Sequence, residues 1–217
     1  MTLSNTMGDA FAQALYDYIT SGAENTNALP PQSGQRCLTY EQMNLIFDTQ
    51  MFWFDLINWV RAFMLSRYRD VGNENEIYAR LQKVPADFIN NLEQFYGEIP
   101  ELSALELELN AYIDLVDSLI TAQKAGNTEE VDRITKQLYQ NADDIASSIA
   151  SINPYWDQNE WRTRLYSNLR STLEESTMFL TEDYARNLDI FSTLISQSES
   201  SGDYLAQGML NHMFSQR

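Results

Sequence analysis

From Tyr40 to Arg69 the chain has too few polar positions for an ordinary surface helix. The segment around Met51-Phe-Trp-Phe-Asp-Leu-Ile-Asn-Trp-Val60 is apolar over most of a helical circumference. A helix of that kind is buried on several sides. The pattern therefore predicts a central rod with other helices packed around it. Thr39 and Gln42 have the spacing of a capping box, in which each side chain satisfies an orphan amide at the helix start. Gly72 follows the end of the rod.

Helical spacing dominates the rest of the chain, and no run of strict alternation calls for a strand. Met7, Phe11, Leu15, Tyr18 and Ile19 predict a short first helix, followed by a Gly/Pro/Ser-rich loop over 22–38. Beyond the rod, a short helix is predicted from Glu74 to about Lys83. Pro85 opens another through Tyr96, because a first-turn proline lacks only an amide that would be unpaired anyway. Leu102, Leu105, Leu109, Tyr112, Val116, Leu119 and Ile120 make one stripe over 101–125. Gly126 stands where a helix C-terminus is expected. Asn127 or Thr128 caps the next helix, whose stripe runs from Val131 through Leu138 and Ile145 to Ile152. Ala142, Ala146 and Ala150 on that helix permit a close helix crossing.

Pro154 stops that helix. Asp157 with Glu160 starts the next, through Trp161, Leu165, Leu169, Thr172 and Phe179. Thr181 begins another, which the serine-rich run Ser196–Gly202 ends, and a short tail helix follows over 204–214. Short links force neighbouring helices antiparallel. The expected fold is all-α: an antiparallel four- to five-helix bundle with short N- and C-terminal accessory helices. The expected division is 1–38 as helix and loop, 39–200 as bundle, and 201–217 as a C-terminal short helix.

Charge narrows the choice of partner. Against 14 Lys and Arg stand 31 Asp and Glu, a net charge of −17, and the first basic residue is Arg36. Such a chain repels phosphate backbones, so nucleic acid is not the expected partner. No stretch reaches the roughly 18 uninterrupted apolar residues of a membrane span. The N-terminus has neither the basic nor the apolar region of a secretory signal. The expected location is cytoplasmic. Cys37 is the sole cysteine, which leaves no intrachain disulfide and no cysteine-based metal cluster.

Candidate chemistry is sparse. Helical bundles hold paired metals through Glu residues and Glu-x-x-His pairs, but His212 is the sole histidine. A divalent metal on carboxylates alone would draw on Asp48, Asp55, Asp114, Asp117, Asp143 and Asp144, with Asp55 and Asp114 the leading pair. These acids are otherwise a solvated face. On the rod, Asn44, Asp48 and Asp55 share a face, with Asn58 and Arg61 beside it. Either this face meets solvent, or one of Asp55, Asn58 and Arg61 points inward. A buried Arg61 would need an acidic partner. Trp53, Trp59 and Tyr112 could wall a small-molecule pocket. Tyr155 and Trp156 in Asn153-Pro-Tyr-Trp156 form a packed corner or, as the lesser reading, a binding surface. No Gly-rich phosphate loop, nucleophile elbow or Ser-His-Asp set is visible.

The strings Asn141-Ala-Asp-Asp-Ile-Ala146 and Ile152-Asn-Pro-Tyr-Trp156 resemble a bacterial all-helical family of uncharacterised activity. Trp59 with Arg61, Arg80-Leu81 before Pro85, Phe95-Tyr-Gly97, and Leu165-Tyr166 before Leu169 and Thr172 add to the resemblance, which spans about 53–189. Members are often labelled acetylglutamate kinase. That label implies an α/β fold with glycine-rich loops, which a chain with 8 glycines and no predicted strand does not match. The family pattern places histidines on several helices and implies a ferritin-like metal site. The matching positions here are Leu56, Tyr112 and Asn168, and none is an imidazole.

The expected function is a non-enzymatic binding or assembly role without a cofactor. Its partner would be a protein, a small molecule or a second copy of the chain. The alternatives are a carboxylate metalloprotein and a small-molecule binder. Candidate binding residues are Trp53, Asp55, Trp59, Arg61, Tyr112, Tyr155 and Trp156.

Overall fold

Gln13 and residues 38–215 are described by the computed structural model of the chain. Apart from Gln13, which is helical, the expected first helix, most of the following loop and Cys37 lie outside the described residues. Of the described residues 88% are helical, and none is in a strand. The chain divides into two compact units, Met1–Ile46 and Phe47–Arg217.

In the first unit the Thr39 amide donates to Gln42 Oε1 at 3.1 Å, and the Gln42 amide donates to Thr39 Oγ1 at 3.2 Å. This reciprocal pair starts helix α1 (Tyr40–Gln50) as the capping-box spacing requires. Met51 then makes a one-residue break before α2 (Phe52–Arg69). Its dihedrals stay right-handed helical, and the amides of Met51 and Asp55 keep their bonds to residues four positions back.

The second unit continues with α3 (Glu74–Leu81) and α4 (Lys83–Tyr96), separated only by Gln82. Pro85 falls in the first turn of α4, where its missing amide costs no bond. Pro100 opens α5 (Pro100–Lys124) at a position where its missing amide costs no bond. Gly126, at φ +66°, then turns the chain, with the Asn127 amide on the Ala122 carbonyl at 3.0 Å. An L side chain rarely adopts that dihedral, which explains glycine there. Asn127 caps α6 (Thr128–Ile152), and Asp157 caps α7 (Gln158–Thr181), each accepting from the amide three residues on.

The second half differs from expectation at two points. Thr181 ends α7 instead of starting a helix. Glu182 takes the left-handed conformation, and Asp183 accepts from the Arg186 amide ahead of α8 (Tyr184–Ser215). The serine-rich run also stays helical, so no separate tail helix forms over 204–214. Ser192 and Ser196 return their hydroxyl protons to carbonyls four residues back. Ser198, Ser201 and Gly202 are buried. The small residues therefore mark a face of close packing, not a break.

Helix α5 packs on α6, α6 on α7, and α7 on α8, while α2 touches α5, α7 and α8. Met64, Leu102, Leu105, Ile113, Val116, Leu119, Ala146 and Trp161 are fully buried between them. The corner after α6 is packed structure. Asn153 is fully buried and donates to Tyr96 Oη at 2.8 Å, while its Oδ1 accepts from the Tyr155 amide. Trp156 is buried and donates from Nε1 to the Leu205 carbonyl at 3.2 Å. Gly208 lies against that indole so closely that a Cβ there would sit 1.8 Å from Trp156 Nε1.

Candidate functional site

Four helices leave a gap where their apolar stripes meet. Trp53 and Leu56 reach it from α2, Leu109 and Tyr112 from α5, Asn141 and Ala142 from α6, and Leu165 and Asn168 from α7. The cavity has a volume of about 30 Å³. None of its lining residues carries a charge. Tyr112 lines it and keeps part of its surface accessible.

Polar groups at the cavity are unevenly satisfied. Thr172 donates to the Asn168 carbonyl at 3.0 Å and is hydrogen-bonded to Tyr112. Burial pushes the Tyr112 phenol up to about 12, the Thr172 bond offsets part of this, and the charge of Glu175 adds to it. Asn141 is 7% exposed and donates from Nδ2 to the Glu108 carbonyl at 2.8 Å. That bond orients the amide, because a flipped group would set two oxygens face to face. Asn141 Oδ1 is then a buried acceptor without a donor among the described residues. Trp53 is 4% exposed, and its Nε1–H likewise has no acceptor among them. An unmade bond of this kind costs about 1–3 kcal/mol.

One turn along α7 from Thr172 stands Glu175, 1% exposed and paired directly with Arg61 of α2. The Arg61 guanidinium also lies over the rings of Phe179 and Phe191, at 5.1 and 4.3 Å. Arg61 thus points inward and has the acidic partner it needs. Burial pushes the Glu175 carboxyl up to about 7, although Arg61 opposes the shift. Glu175 was open to sequence reasoning, since it falls between Thr172 and Phe179 on the inward stripe of α7. Asn141 likewise sits one turn from Leu138 on the inward stripe of α6.

The remaining candidates are scattered. Asn58 spends its side-chain donor on the Phe54 carbonyl of its own helix. Trp59 is half-buried beneath the Arg80 guanidinium, 5.3 Å from the ring centre. Asp55 is largely solvent-exposed and borders a separate cleft of about 60 Å³ with Asp48, Arg80 and Asp87. Partial burial raises its carboxyl, with Arg80 opposing and Asp87 reinforcing. Asp114 accepts from Tyr78 Oη at 2.7 Å and does not line that cleft. Asp117 pairs with Arg67, Asp143 with Arg162, and Asp144 accepts from Gln140. Among the described residues no three His, Cys, Asp or Glu side chains are grouped so as to hold a metal ion. Tyr155 is 42% exposed at the surface, whereas Trp156 is in the core.

The structure therefore brings Trp53 and Tyr112 to one cavity and puts Asp55, Trp59, Arg61, Tyr155 and Trp156 elsewhere. Leu56 and Asn168 join them there. No helix among the described residues is long and apolar enough to cross a membrane. No protein-family model matches the chain, nor does any curated protein or solved structure.

Proposed function

We propose that the protein is a non-enzymatic binding protein of the cytoplasm. Its helices α2, α5, α6 and α7 form an antiparallel bundle with α8 as a fifth member, and the bundle holds a small molecule at its centre. The observation that carries this is the cavity between the four helices, walled by apolar side chains together with Tyr112 and Asn168. Pockets of this type combine apolar walls with a few convergent polar groups, and helix bundles place them between helices.

The resemblance to the bacterial helical family fits the same picture. The three positions matched to that family's histidines, Leu56, Tyr112 and Asn168, all line this cavity. With an aliphatic chain, a phenol and a carboxamide there, the chain offers hydrogen bonds and apolar surface in place of metal ligands. Transition-metal sites draw their affinity from imidazole or thiolate.

Ligand-observed nuclear magnetic resonance with a set of small neutral fragments tests the proposal. Saturable binding should occur in the parent and vanish in Ala142→Leu, which fills the cavity from α6. Binding that survives this substitution, in a variant with the parent's circular dichroism, would place the ligand elsewhere. A parent that binds no fragment would leave assembly as the better role.

A further inference from the structure

Helix α2 is apolar over most of its circumference, a pattern that calls for burial on several sides. One side of it stays open. Phe54 and Ala62 are half-buried and Leu65 is exposed, and with Asn58 their spacing of three and four residues puts them on one face. On α8, Tyr184 and Leu188 are exposed and Phe191 is half-buried, again at helical spacing.

Contacts between the two helices join these faces. The Arg61 guanidinium lies over the Phe191 ring at 4.3 Å, and that of Arg69 over the Tyr184 ring at 5.0 Å. Gln50 donates from Nε2 to Asp203 Oδ1 at 2.6 Å. The numbering therefore rises from 50 to 69 on one side as it falls from 203 to 184 on the other, which sets Leu65 level with Leu188. The result is a solvent-facing apolar seam, about three helical turns or roughly 17 Å long between Phe54 and Leu65. Contiguous apolar surface rimmed by polar groups marks an interaction site.

Charge says what fits the seam. The cations beside it are engaged: Arg61 with Glu175, Arg69 with Glu182, and Arg186 with Glu174. Asp189 and Glu199 are exposed on α8 and make no ion pair among the described residues. Glu199 stands about three turns beyond Leu188, on the same face. We infer that the seam docks an amphipathic helix of a partner protein, its apolar stripe on Leu65 and Leu188 and its lysines or arginines toward Asp189 and Glu199. A helix laid on an apolar groove anchors through residues at i, i+3, i+4 and i+7, and opposite charge at the rim selects the partner. A second copy of the chain would bring the same acids and the same net charge of −17 to the rim, and an anionic lipid surface would repel both.

Two synthetic peptides test this: an amphipathic helix of leucine and lysine, and its counterpart with glutamate in place of lysine. Fluorescence anisotropy of the labelled peptide reads binding. The lysine peptide should bind saturably, and the glutamate peptide at least about tenfold more weakly. Leu65→Ser combined with Leu188→Ser leaves every charge in place and should weaken the lysine peptide at least about tenfold. Leu107→Ser removes an even more exposed leucine on α5, 72% against 59% for Leu188, and should change nothing. Asp189→Asn with Glu199→Gln should flatten the salt dependence of binding. The inference is overturned if neither peptide binds, if both bind equally, if Leu107→Ser acts like the seam pair, or if the acid pair leaves the salt dependence unchanged. It is also overturned if sedimentation of the parent shows a dimer that the seam pair dissociates, since a second copy then covers the seam. Binding of the parent, but not the seam pair, to phosphatidylcholine vesicles would give the seam to a membrane instead. All these substitutions lie at the surface, and circular dichroism equal to the parent's confirms that each variant folds.

Discussion

Glu175 makes the stability of this protein fall as pH rises through neutrality. The carboxyl is 1% exposed, and burial holds it at about 7 in the folded chain against an ordinary value of 4.5. Below pH 4.5 both folded and unfolded states keep the proton. Between 4.5 and 7 only the folded state keeps it, so each step up in pH favours unfolding. Above 7 neither state holds it and the loss is complete. At about 1.4 kcal/mol per pKa unit the full effect is about 3 kcal/mol. Glu175→Gln preserves the shape and removes the titration. Urea melts of parent and variant at pH 5, 6, 7 and 8 isolate the term, because other titrating groups are common to both. The parent should lose about 3 kcal/mol relative to Glu175→Gln between pH 5 and pH 8. Arg61→Met should move the window to higher pH, since Arg61 is what opposes the shift. It should also destabilise the protein at pH 8, where the carboxyl must either hold its proton or stay buried as a charge without a partner. A parent–variant difference independent of pH would show that the carboxyl is hydrated and ionised throughout, and would refute the buried-pair argument.

The corner after α6 offers two further tests. Trp156→Ala should cost roughly 3–5 kcal/mol in denaturant melts, because the indole is buried and bonded to the Leu205 carbonyl; a melt equal to the parent's would place the ring at the surface. Gly208→Ala should cost about 1–3 kcal/mol or more, since its Cβ would collide with that indole; combined with Trp156→Ala it should cost less than the sum, and strict additivity would deny the contact. Elemental analysis of purified protein should find no stoichiometric iron, manganese or zinc. One or two ions per chain, lost on substituting Asp55 or Asp114, would promote the carboxylate metalloprotein instead.

Most of the helical order could be read from single residues whose physics is local. Thr39 with Gln42, Asn127, Asp157, Pro100 and Gly126 each act on the backbone within a few positions, and each stands where its element begins or ends. The misread stretch was the serine-rich one. Its propensity argues for a break, but Ser198 and Ser201 are buried against neighbouring helices, and packing outweighs propensity. Thr181 and Asp183 are both plausible caps, and only the left-handed turn at Glu182 decides between them. The cavity was partly visible. Trp53 and Tyr112 are large side chains on inward stripes, whereas Trp59 is about 120° around the helix from Trp53, at roughly 100° per residue. Nothing local says that the Trp53 and Asn141 atoms lack partners, because that depends on what four separate helices bring to one point.

The central claim is that the space between α2, α5, α6 and α7 accepts a guest. Xenon enters apolar cavities without needing a hydrogen bond, so it tests the space independently of any ligand chemistry. A crystal structure under xenon pressure should place an ordered xenon atom among Trp53, Leu56, Tyr112 and Asn168. It should vanish in Ala142→Leu. Continuous side-chain density at that point, with no xenon and no room for it, would contradict the account.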